Sequence, residues 1–594
     1  MNGKLEYKRH TLAHLLAAAV LKHYPDAKLT LGPAVDDGFY YDIDFGSAEK
    51  PGEADLKKIE KTMRALLPSW KEMTGKKVTG KEAKEQFTGN EYKIELIDDI
   101  VARGEDPTFY IAGPNPETCH LKPETCFLDL CRGGHCENPA KDIAPDSFTL
   151  DRIAGAYWRG DEKNLMLTRI YGLAFDTKEE LDAHVAQREE AKNRDHRKLA
   201  KELDLLVFSD LVGSGMPIFT PKGNAVYAEI VRFSRELNDE LGFGEVHSPN
   251  INKGELFKIS GHYDKYKEDM LRVSSQYVDE EMFLKPMNCP QHTQIYAAHP
   301  RSYRDLPIRY SDFSILYRDE RPGELSGLTR LRAFSQDDGH IFCREDQIED
   351  EISKVLSVIQ KALTTYGIDY WMRLSLRDPE KPEDYLGDDA VWEKSQNIMR
   401  TLLQEKNIPF KEAVGDAVFY GPKIDVIAVD AIGREWQIST IQLDFNQPAR
   451  FKLVYTDSDG AEKTPVIIHR ALIGSPDRFM GILLEHYAGH LPLWLAPIQV
   501  KVLPISEKHA QYAEEITKKI KTAGLRVELS ANNESLGKRI RLAKLEKVPY
   551  LFVVGDKEVE SQTVTVESHV GNEGAQKVEE IVDQLKVKIT ERAR

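Results

Sequence analysis

The order of apolar and polar residues changes twice along the chain, which predicts three structural parts. The first part begins with a helical pattern, HTLAHLLAAAVLKHY, and continues with an alternating, strand-like pattern, GFYYDIDF. It ends in the charged run EELDAHVAQREEAKNRDHRKLAKELDL. Repeats near 3.6 residues indicate helix and repeats of two indicate strand, so we expect an α+β domain over residues 1–190 that ends in an exposed linker helix.

The second part, residues 191–495, combines long helices with strands such as FSILYRDE, RAFSQDDGHIF and REWQISTIQLDF. These strands follow one another too closely for a helical crossover between every pair, which predicts a large antiparallel sheet with flanking helices. The third part, residues 496–594, alternates strands such as IQVKVLPI and PYLFVVG with helices and predicts a compact α/β module. The predicted fold class is α+β with several domains.

Length and composition narrow the class of protein. A chain of 594 residues is too long for one hydrophobic core, and its 41% of apolar residues suffices for several packed domains. The net charge of −16 argues against indiscriminate nucleic-acid binding but leaves selective RNA binding open. Because no apolar run is long enough for a membrane span and four cysteines crowd between Cys119 and Cys136, we expect a cytoplasmic protein whose thiols are reduced or bind metal.

A strand, a loop and a second strand in the middle part carry groups suited to a polyphosphate. Arg318 and Glu320 lie in the segment YRDE, and Arg330 and Phe334 lie in GLTRLRAFSQDDGH. Guanidinium groups bind phosphate oxygens, a carboxylate accepts a hydrogen bond from an amino group, and an aromatic ring stacks on a base. A solvated hairpin of paired charges is the alternative that these residues leave open.

Three possible metal ligands lie far apart in the same part of the chain. Cys289, His340 and His469 each stand beside a strand-like segment, in KPMNCP, QDDGHIF and VIIHRALIG. One thiolate and two imidazoles would leave a coordination position of zinc open, as in catalytic zinc sites. His292 and Cys343 compete as candidates, and a purely structural role for each histidine stays open.

A second group of possible ligands lies in the first part. His10 and His14 are four residues apart and therefore share one face of the predicted helix. Cys131 and His135 supply a thiol and another imidazole from CRGGH. These four residues predict either a four-ligand zinc site or a buried polar cluster.

Several of these segments resemble the motifs of class II aminoacyl-tRNA synthetases, over nearly the whole chain from residue 5 onward. YRDE with GLTRLRAFSQDD resembles motif 2, GSPDRF resembles motif 3, and PKGNAVYAEIVRFSRELNDELGFGEVHSPN resembles motif 1. KPMNCP, QDDGHIF and VIIHRALIGS together resemble the threonyl-tRNA synthetases. The resemblance implies an antiparallel class II catalytic core, a homodimer formed through motif 1, and ligation of threonine to its tRNA with ATP and Mg²⁺.

The resemblance also implies roles in ATP chemistry. Arg318 would bridge the amino-acid carboxylate and the α-phosphate, and Arg330 and Arg478 would bind the outer phosphates. In-line attack of a carboxylate on phosphorus needs positioning and charge neutralisation and no side-chain nucleophile. The implied ATP-binding residues are Arg318, Glu320, Arg330, Phe334, Gln437 and Arg478, and His262 in SGHYDKY is implied to assist transfer to tRNA.

One catalytic zinc ion per subunit, held by Cys289, His340 and His469, is implied as well. Valine is nearly isosteric with threonine, and an apolar pocket would separate the two only about 100-fold, whereas valine offers a metal no hydroxyl ligand. Asp338 would accept a hydrogen bond from the threonine hydroxyl. The implied threonine-binding residues are Gln336, Asp338, Tyr420, Lys423, Thr440, Gln442 and Ser475.

Serine carries the same hydroxyl and is smaller, so a zinc pocket alone cannot exclude it. The HxxxH and CxxxH segments resemble those of the synthetase editing domain, which hydrolyses seryl-tRNA without a metal. The implied editing residues are His10, His14, Lys93, Asp129, Cys131 and His135, acting by acid–base contacts.

Two features of this region depart from the family pattern. Gly134 stands where the second motif usually has proline, and Cys136 follows that motif. The segment that carries Cys119 and Cys126 is longer than usual, which leaves a loop insertion, a second metal site or a redox-sensitive gate open.

The third part resembles an anticodon-binding domain, with Asn533 and Glu558 in matching positions. Glu567 stands where the family usually has an arginine, and a carboxylate facing RNA would repel phosphate. We also expect the small β-rich domain that often precedes the editing domain to be missing. Two other functions stay open: a catalytically idle RNA-binding protein, and a zinc hydrolase built on the N-terminal residues.

Overall fold

The computed structural model describes residues 2–47, 50–114, 126–531 and 533–594, and it separates into two compact units, Met1–Glu189 and Glu190–Arg594. None of the helices in these described ranges is long and apolar enough to cross a membrane.

The first unit is built around an N-terminal helix and an antiparallel sheet. The helix Asn2–His23 buries Leu12, Leu15, Leu16 and Val20, which recur at helical spacing. The sheet has the strand order Lys28–Leu29, Gly38–Asp44, Met166–Ala174, Phe148–Tyr157, with Ala34–Val35 paired to Gly38–Asp44. A second antiparallel sheet has the order Glu72–Lys77, Thr108–Gly113, Phe127–Leu130. The other α-helices here are Leu56–Leu66, Gly80–Gln86, Glu91–Ala102 and Pro139–Asp142.

The charged run predicted as one linker helix forms two helices, so that prediction was wrong. The first is Lys178–Arg194 and the second is His196–Glu202. Asp195 lies between them, and its carboxylate accepts a hydrogen bond from the Arg197 N–H at 2.8 Å. An N-cap of this kind begins a new helix, which the charge pattern alone did not reveal.

The second unit contains the predicted large sheet, hereafter the central sheet. Its eight strands are antiparallel except at the two edge pairs, which are parallel. Their order is Gly244–Glu245, Ile308–Asp312, Asp338–Cys343, Val466–Ala471, Glu435–Asp444, Lys423–Val429, Asp369–Leu376, Phe410–Val414. The helices of this region are Pro221–Glu240, Gly254–Ser260, His262–Tyr266, Cys289–Ala297, Ile348–Tyr366, Asp389–Glu405, Asn446–Arg450 and Pro476–His486. The fold class predicted for this part is confirmed.

The two faces of the central sheet differ in chemistry because successive strand residues point to opposite sides. Ile341, Ile468 and Leu443 form one apolar row within the main hydrophobic core. The neighbouring residues on these strands, His340, His469 and others described below, therefore lie on the opposite face. Short strand pairs flank the sheet, namely Leu206–Val207 with Ile218–Phe219, Ile315–Tyr317 with Ala333–Ser335, and Tyr455–Thr456 with Glu462–Lys463. A three-stranded sheet has the order Ile251–Lys253, Met282–Leu284, Arg272–Val273.

The C-terminal part forms the predicted α/β module. Its sheet has the order Val527–Leu529, Val500–Pro504, Tyr550–Val554, Thr563–Ser568, Gly571–Lys577, of which the first three strands are parallel. Its helices are Ala510–Thr522, Leu536–Leu545, Asp556–Ser561 and Val578–Thr590.

Candidate functional site

Strand register brings residues that are distant in sequence into two rows on one face of the central sheet. In the first row His340 lies opposite His469, His469 opposite Gln442, and Gln442 opposite Lys423. The second row is two residues away, and its members are Asp338, Ala471, Thr440, Asp425 and Arg373. Residues from the predicted zinc-ligand set and from the predicted threonine-binding set therefore share one surface.

Cys289 completes a cluster of three possible metal ligands at the end of the first row. It is the first residue of the helix Cys289–Ala297. The donor atoms of Cys289, His340 and His469 all lie within 4.8 Å of one another, and all three residues are buried. Burial, together with the nearby His292, His469 and Arg470 side chains, holds the pKa of His340 well below its ordinary value, which favours the neutral imidazole. One cysteine and two histidines at this spacing fit the donor set of a zinc site.

The two competing ligand candidates lie outside this donor group. His292 stands behind His340, with 2.8 Å between their Nδ1 atoms, and its Nε2 is 3.7 Å from Asp312. Cys343 is fully buried in the sheet strand, where burial raises the pKa of its thiol. Contacts behind a ligand usually orient it, which suits the position of His292.

Three of the predicted threonine-binding residues, Asp338, Tyr420 and Gln442, lie beside the cluster. The Tyr420 ring lies 4.7 Å from the His469 ring, and its hydroxyl donates a hydrogen bond to Gln442. Asp338 is buried, and its Oδ1 lies 3.8 Å from Nε2 of His340. His262, predicted to assist transfer, is fully buried beside the cluster, 3.6 Å from the Cys289 sulfur.

A cavity of about 490 Å³ opens beside the two rows. Among the predicted ATP- and threonine-binding residues, those that line it are Arg318, Glu320, Arg330, Phe334, Gln336, Gln437, Thr440, Ser475 and Arg478. Ser475 caps the helix Pro476–His486 by accepting a hydrogen bond from the Arg478 N–H at 3.3 Å. A helix N-terminus with exposed N–H groups favours anions, so this wall of the cavity suits phosphate.

The arginines of the cavity differ in how their charge is balanced. Arg330 pairs with Glu320 at 2.7 Å and Glu324 at 3.1 Å. Arg318, stacked 5.2 Å above the Phe334 ring, and Arg478 have no carboxylate within 4.0 Å in the described ranges. Burial lowers the pKa of both guanidinium groups, although both stay charged. Two cations without counter-ions leave the cavity ready for an anion.

A separate site lies in the first unit, where the helix Asn2–His23 meets the loop after Phe127–Leu130. The Cys131 sulfur lies 3.4 Å from His10 Nε2 and 3.1 Å from His135 Nε2. His14 Nδ1 is 3.1 Å from Asp129, which pairs with Lys93 at 2.5 Å. All six predicted editing residues are thus brought together, and five of them line a cavity of about 410 Å³.

The charges in this site are strongly coupled. Although burial opposes it, contacts with Asp129 and Cys131 raise the pKa of His14 to about 9. Burial would raise the pKa of Cys131, but hydrogen bonds with His10, His135 and His14 lower it to about 3. Burial is the largest cause that lowers the pKa of His135, to about 4. The site therefore combines a thiolate, an imidazolium and a neutral imidazole near pH 7.

The glycines between Cys131 and His135 explain one departure from the family pattern. Gly133 and Gly134 have φ angles of +109° and +85°, and the Gly133 N–H lies 3.4 Å from the Cys131 sulfur. Proline holds φ near −65°, so it cannot adopt this loop conformation. Cys136 is buried and does not belong to the four-donor group, and Cys119 lies outside the described residues.

The predicted anticodon-binding residues lie in the C-terminal module. Glu558 accepts hydrogen bonds from the Gly555 N–H at 2.9 Å and the Thr565 hydroxyl at 2.8 Å, and Asn533 is exposed. Glu567 pairs with Lys544 at 2.5 Å. The carboxylate that replaces the family arginine is therefore partly neutralised by a neighbouring lysine.

Comparisons with known proteins agree with this architecture. Residues 271–487 match the family model "tRNA synthetase class II core domain (G, H, P, S and T)", and residues 499–588 match "Anticodon binding domain". The threonine–tRNA ligase of Thermotoga petrophila is 45% identical over 96% of this chain and 85% of its own length. That of Deinococcus radiodurans is 43% identical over 98% of this chain and 88% of its own. The chain belongs to the threonine–tRNA ligase family.

Solved structures agree with this assignment. The RNA-binding domain of threonyl-tRNA synthetase from Cryptosporidium parvum matches with a TM-score of 0.63 and 36% identity, covering 66% of this chain and 98% of that one. The putative threonyl-tRNA synthetase ThrRS-1 from Aeropyrum pernix matches with a TM-score of 0.59 and 29% identity, covering 68% and 97%.

One buried residue of the site was not predicted from the sequence. Asp425, fully buried in the second row, accepts hydrogen bonds from Gln437 at 2.7 Å and Thr440 at 3.1 Å. It also pairs with Lys423 at 2.8 Å and Arg373 at 3.2 Å. An aspartate inside FYGPKID, two residues after Lys423, was the available signal, because residues i and i+2 of a strand share a face.

Proposed function

We propose that this protein attaches L-threonine to threonine tRNA through a threonyl-adenylate, and that zinc held by Cys289, His340 and His469 selects the amino acid. The observation that carries the proposal is the buried three-ligand cluster in the same row of strand positions as Gln442 and Lys423. A bound zinc ion would supply a Lewis acid that takes the amino group and hydroxyl of threonine. Tyr420, Gln442 and Asp338 would hold the amino acid around it.

The nucleotide would occupy the 490 Å³ cavity, with Mg²⁺ accompanying ATP. Arg318 and Arg478 would neutralise charge on the α-phosphate and outer phosphates, since neither has a counter-ion among the described residues. In the structure the Glu320 carboxylate binds Arg330, so adenine recognition by Glu320 would share that carboxylate. The fixed positions of Arg318 and Arg478 would supply electrostatic stabilisation as the carboxylate of threonine attacks the α-phosphorus of ATP.

The decisive experiment is aminoacylation of purified threonine tRNA with threonine, serine and valine, each with ATP. We expect charging with threonine, activation of serine and rejection of valine.

A second measurement concerns the metal: Cys289→Ala should lose bound zinc together with threonine-dependent pyrophosphate exchange, because two imidazoles alone hold zinc weakly. Stoichiometric zinc with normal exchange in this variant would refute the ligand assignment.

We further propose that the first unit hydrolyses seryl-tRNA. The Cys131 thiolate lines the 410 Å³ cavity and can accept a hydrogen bond from water there, and the His14 imidazolium can donate to the ester. The neutral His135 imidazole lies 3.1 Å from the Cys131 sulfur and can orient it. The buried Lys93–Asp129 pair holds His14 in place.

The double variant His10→Ala, His14→Ala tests this editing role. It should charge threonine at the parent rate, because separate sites with no shared partners act independently, and it should accumulate seryl-tRNA. Unchanged clearance of serine would refute the role. The same four donors lie within 4.8 Å of one another, so zinc binding is the alternative. Loss of deacylation after chelation, restored only by zinc, would favour that alternative.

Assembly, location and domain limits are the remaining proposals. Apolar side chains that stay exposed in one stretch near motif 1 favour a homodimer; they are Val207, Phe208, Leu211, Val212 and Ile218. We propose 1–190, 191–495 and 496–594 as the editing, catalytic and anticodon-binding parts, with Asn533 and Glu558 contacting the anticodon. The expected cytoplasmic location stays a prediction.

A further inference from the structure

His196 joins the end of the helix Pro476–His486 to a loop that lines the nucleotide cavity. The residue is buried, with 4% of its surface exposed, and its Nδ1 lies 2.6 Å from an oxygen of Glu485. Its Nε2 accepts a hydrogen bond from the backbone N–H of Leu328 at 2.9 Å. The backbone N–H of His196 donates to the same Glu485 oxygen at 3.0 Å.

These contacts fix the protonation of the ring. A backbone N–H can only donate, so Nε2 must carry the lone pair and the proton must be on Nδ1, directed at Glu485. The other Glu485 oxygen lies 2.5 Å from Arg434. Although burial opposes it, the hydrogen bonds from His196 and the charge of Arg434 lower the pKa of the Glu485 carboxyl. Asp195, His196 and Glu485 also form one of the groups whose spacing could hold a metal ion. Because both ring nitrogens are already used, His196 has no lone pair left for a metal.

The loop held by this contact belongs to the cavity wall. Leu328 and the two residues that follow it, Thr329 and Arg330, all line the cavity. A Cβ atom at Gly327 would lie 2.1 Å from Nε2 of His196, so only glycine lets the loop approach the ring this closely. The backbone of the motif 2 loop at Gly327 and Leu328 therefore packs directly against the His196 imidazole.

We propose that His196 is a positioning residue for ATP: by accepting the Leu328 N–H it holds the motif 2 loop, and with it Arg330, in place for the phosphates. His196 is not one of the residues that line the cavity, so it would act through the loop. This inference rests on the nucleotide site proposed above.

Two substitutions at His196 separate its two contacts. In His196→Asn the side-chain amide can replace the Nδ1 donor to Glu485, but nothing reaches the Leu328 N–H. In His196→Gln the longer side chain can place its oxygen near the Nε2 position. An unsatisfied buried N–H is costly, so we expect His196→Asn to raise the KM for ATP about 10-fold in threonine-dependent pyrophosphate exchange, with the KM for threonine changed less than about 2-fold. His196→Gln should recover most of that loss.

Gly327→Ala approaches the same contact from the loop and should reproduce the effect on ATP. Lys198→Gln, an exposed position on the same helix, is the control and should match the parent. Thermal melting of every variant checks the fold. If His196→Asn does not fold, Gly327→Ala and His196→Gln carry the test.

An unchanged KM for ATP in folded His196→Asn or Gly327→Ala would overturn the inference. So would equal losses for ATP and threonine that follow melting temperature in all variants, because His196 would then act only on the fold. Arg478→Ala distinguishes failure of the proposed nucleotide site from failure of the proposed role of His196. If it leaves pyrophosphate exchange intact, the nucleotide site is wrong; if it abolishes exchange while His196→Asn behaves as the parent, only the role of His196 is wrong.

Discussion

At the residue scale, the proposed nucleotide cavity is marked by two arginines, Arg318 and Arg478, that form no ion pair with any described residue. Arg330 has two carboxylate partners, whereas Arg318 and Arg478 have none within ion-pair distance in the described part of the chain. Burying a guanidinium without a counter-ion costs folding free energy, so such a group is expected where a ligand supplies the missing charge.

Arg478→Ala should therefore impair chemistry more than folding. Loss of one charge-assisted contact to the transition state costs on the order of 3 kcal/mol, or about 100-fold in the rate of pyrophosphate exchange. The melting temperature should not fall, since the variant removes an uncompensated buried charge. Arg304→Gln, an exposed arginine, is the control. Exchange at the parent rate by folded Arg478→Ala would contradict this assignment.

Gly134 gives a second prediction at this scale. Proline cannot adopt the φ of +85° found at Gly134. Gly134→Pro should therefore change the backbone conformation of the loop and displace His135 from Cys131. A displacement of about 1 Å can cost about 100-fold in rate. We expect deacylation of seryl-tRNA to fall by about that factor and charging with threonine to stay normal, as measured with both substrates. Undiminished deacylation would show that the loop conformation is not needed.

At the element scale, strand register builds the candidate active site. The sequence motifs predicted which segments carry pocket residues, and the antiparallel sheet followed from strands spaced too closely for crossovers. The contacts of Asp425, the place of His292 behind His340, and the break at Asp195 were not predictable in the same way. They depend on which residues of distant segments pair across the sheet, or on one capping side chain, and apolar periodicity carries neither kind of information.

Asp425 links three strands of the central sheet. Asp425→Asn keeps its size but removes the charge that holds Lys423 and Arg373. The two cations should then shift, and since Thr440 and Lys423 belong to the proposed threonine pocket, we expect the KM for threonine to rise about 10-fold. Asp416→Asn, which removes the exposed partner of Arg373, is the matched control. Equal kinetics for the two variants would argue against a role for Asp425 in the pocket.

At the scale of the whole molecule, the proposed homodimer predicts that a second subunit covers the exposed apolar stretch around Leu211. Leu211 is 100% exposed, and an exposed apolar patch on a folded protein commonly marks a protein–protein interface, where a buried unpaired charge would be costly. Leu211→Glu should weaken self-association at least about 10-fold. Sedimentation at several protein concentrations measures this, with Leu545→Glu, 60% exposed in the C-terminal module, as the control. A dimer that survives Leu211→Glu unchanged would place the interface elsewhere.

If the proposed zinc site is correct, the pairing of His340 with His469 makes metal binding a test of correct folding. Shifting one strand against the other by a single residue would turn one imidazole to the apolar face of the sheet. A molecule misassembled in this way could not gather the proposed three ligands, whatever its secondary structure content. The zinc content of a refolded preparation would therefore measure the fraction of molecules whose central strands are in register. Circular dichroism cannot measure this fraction, because it reports secondary structure content and not strand register.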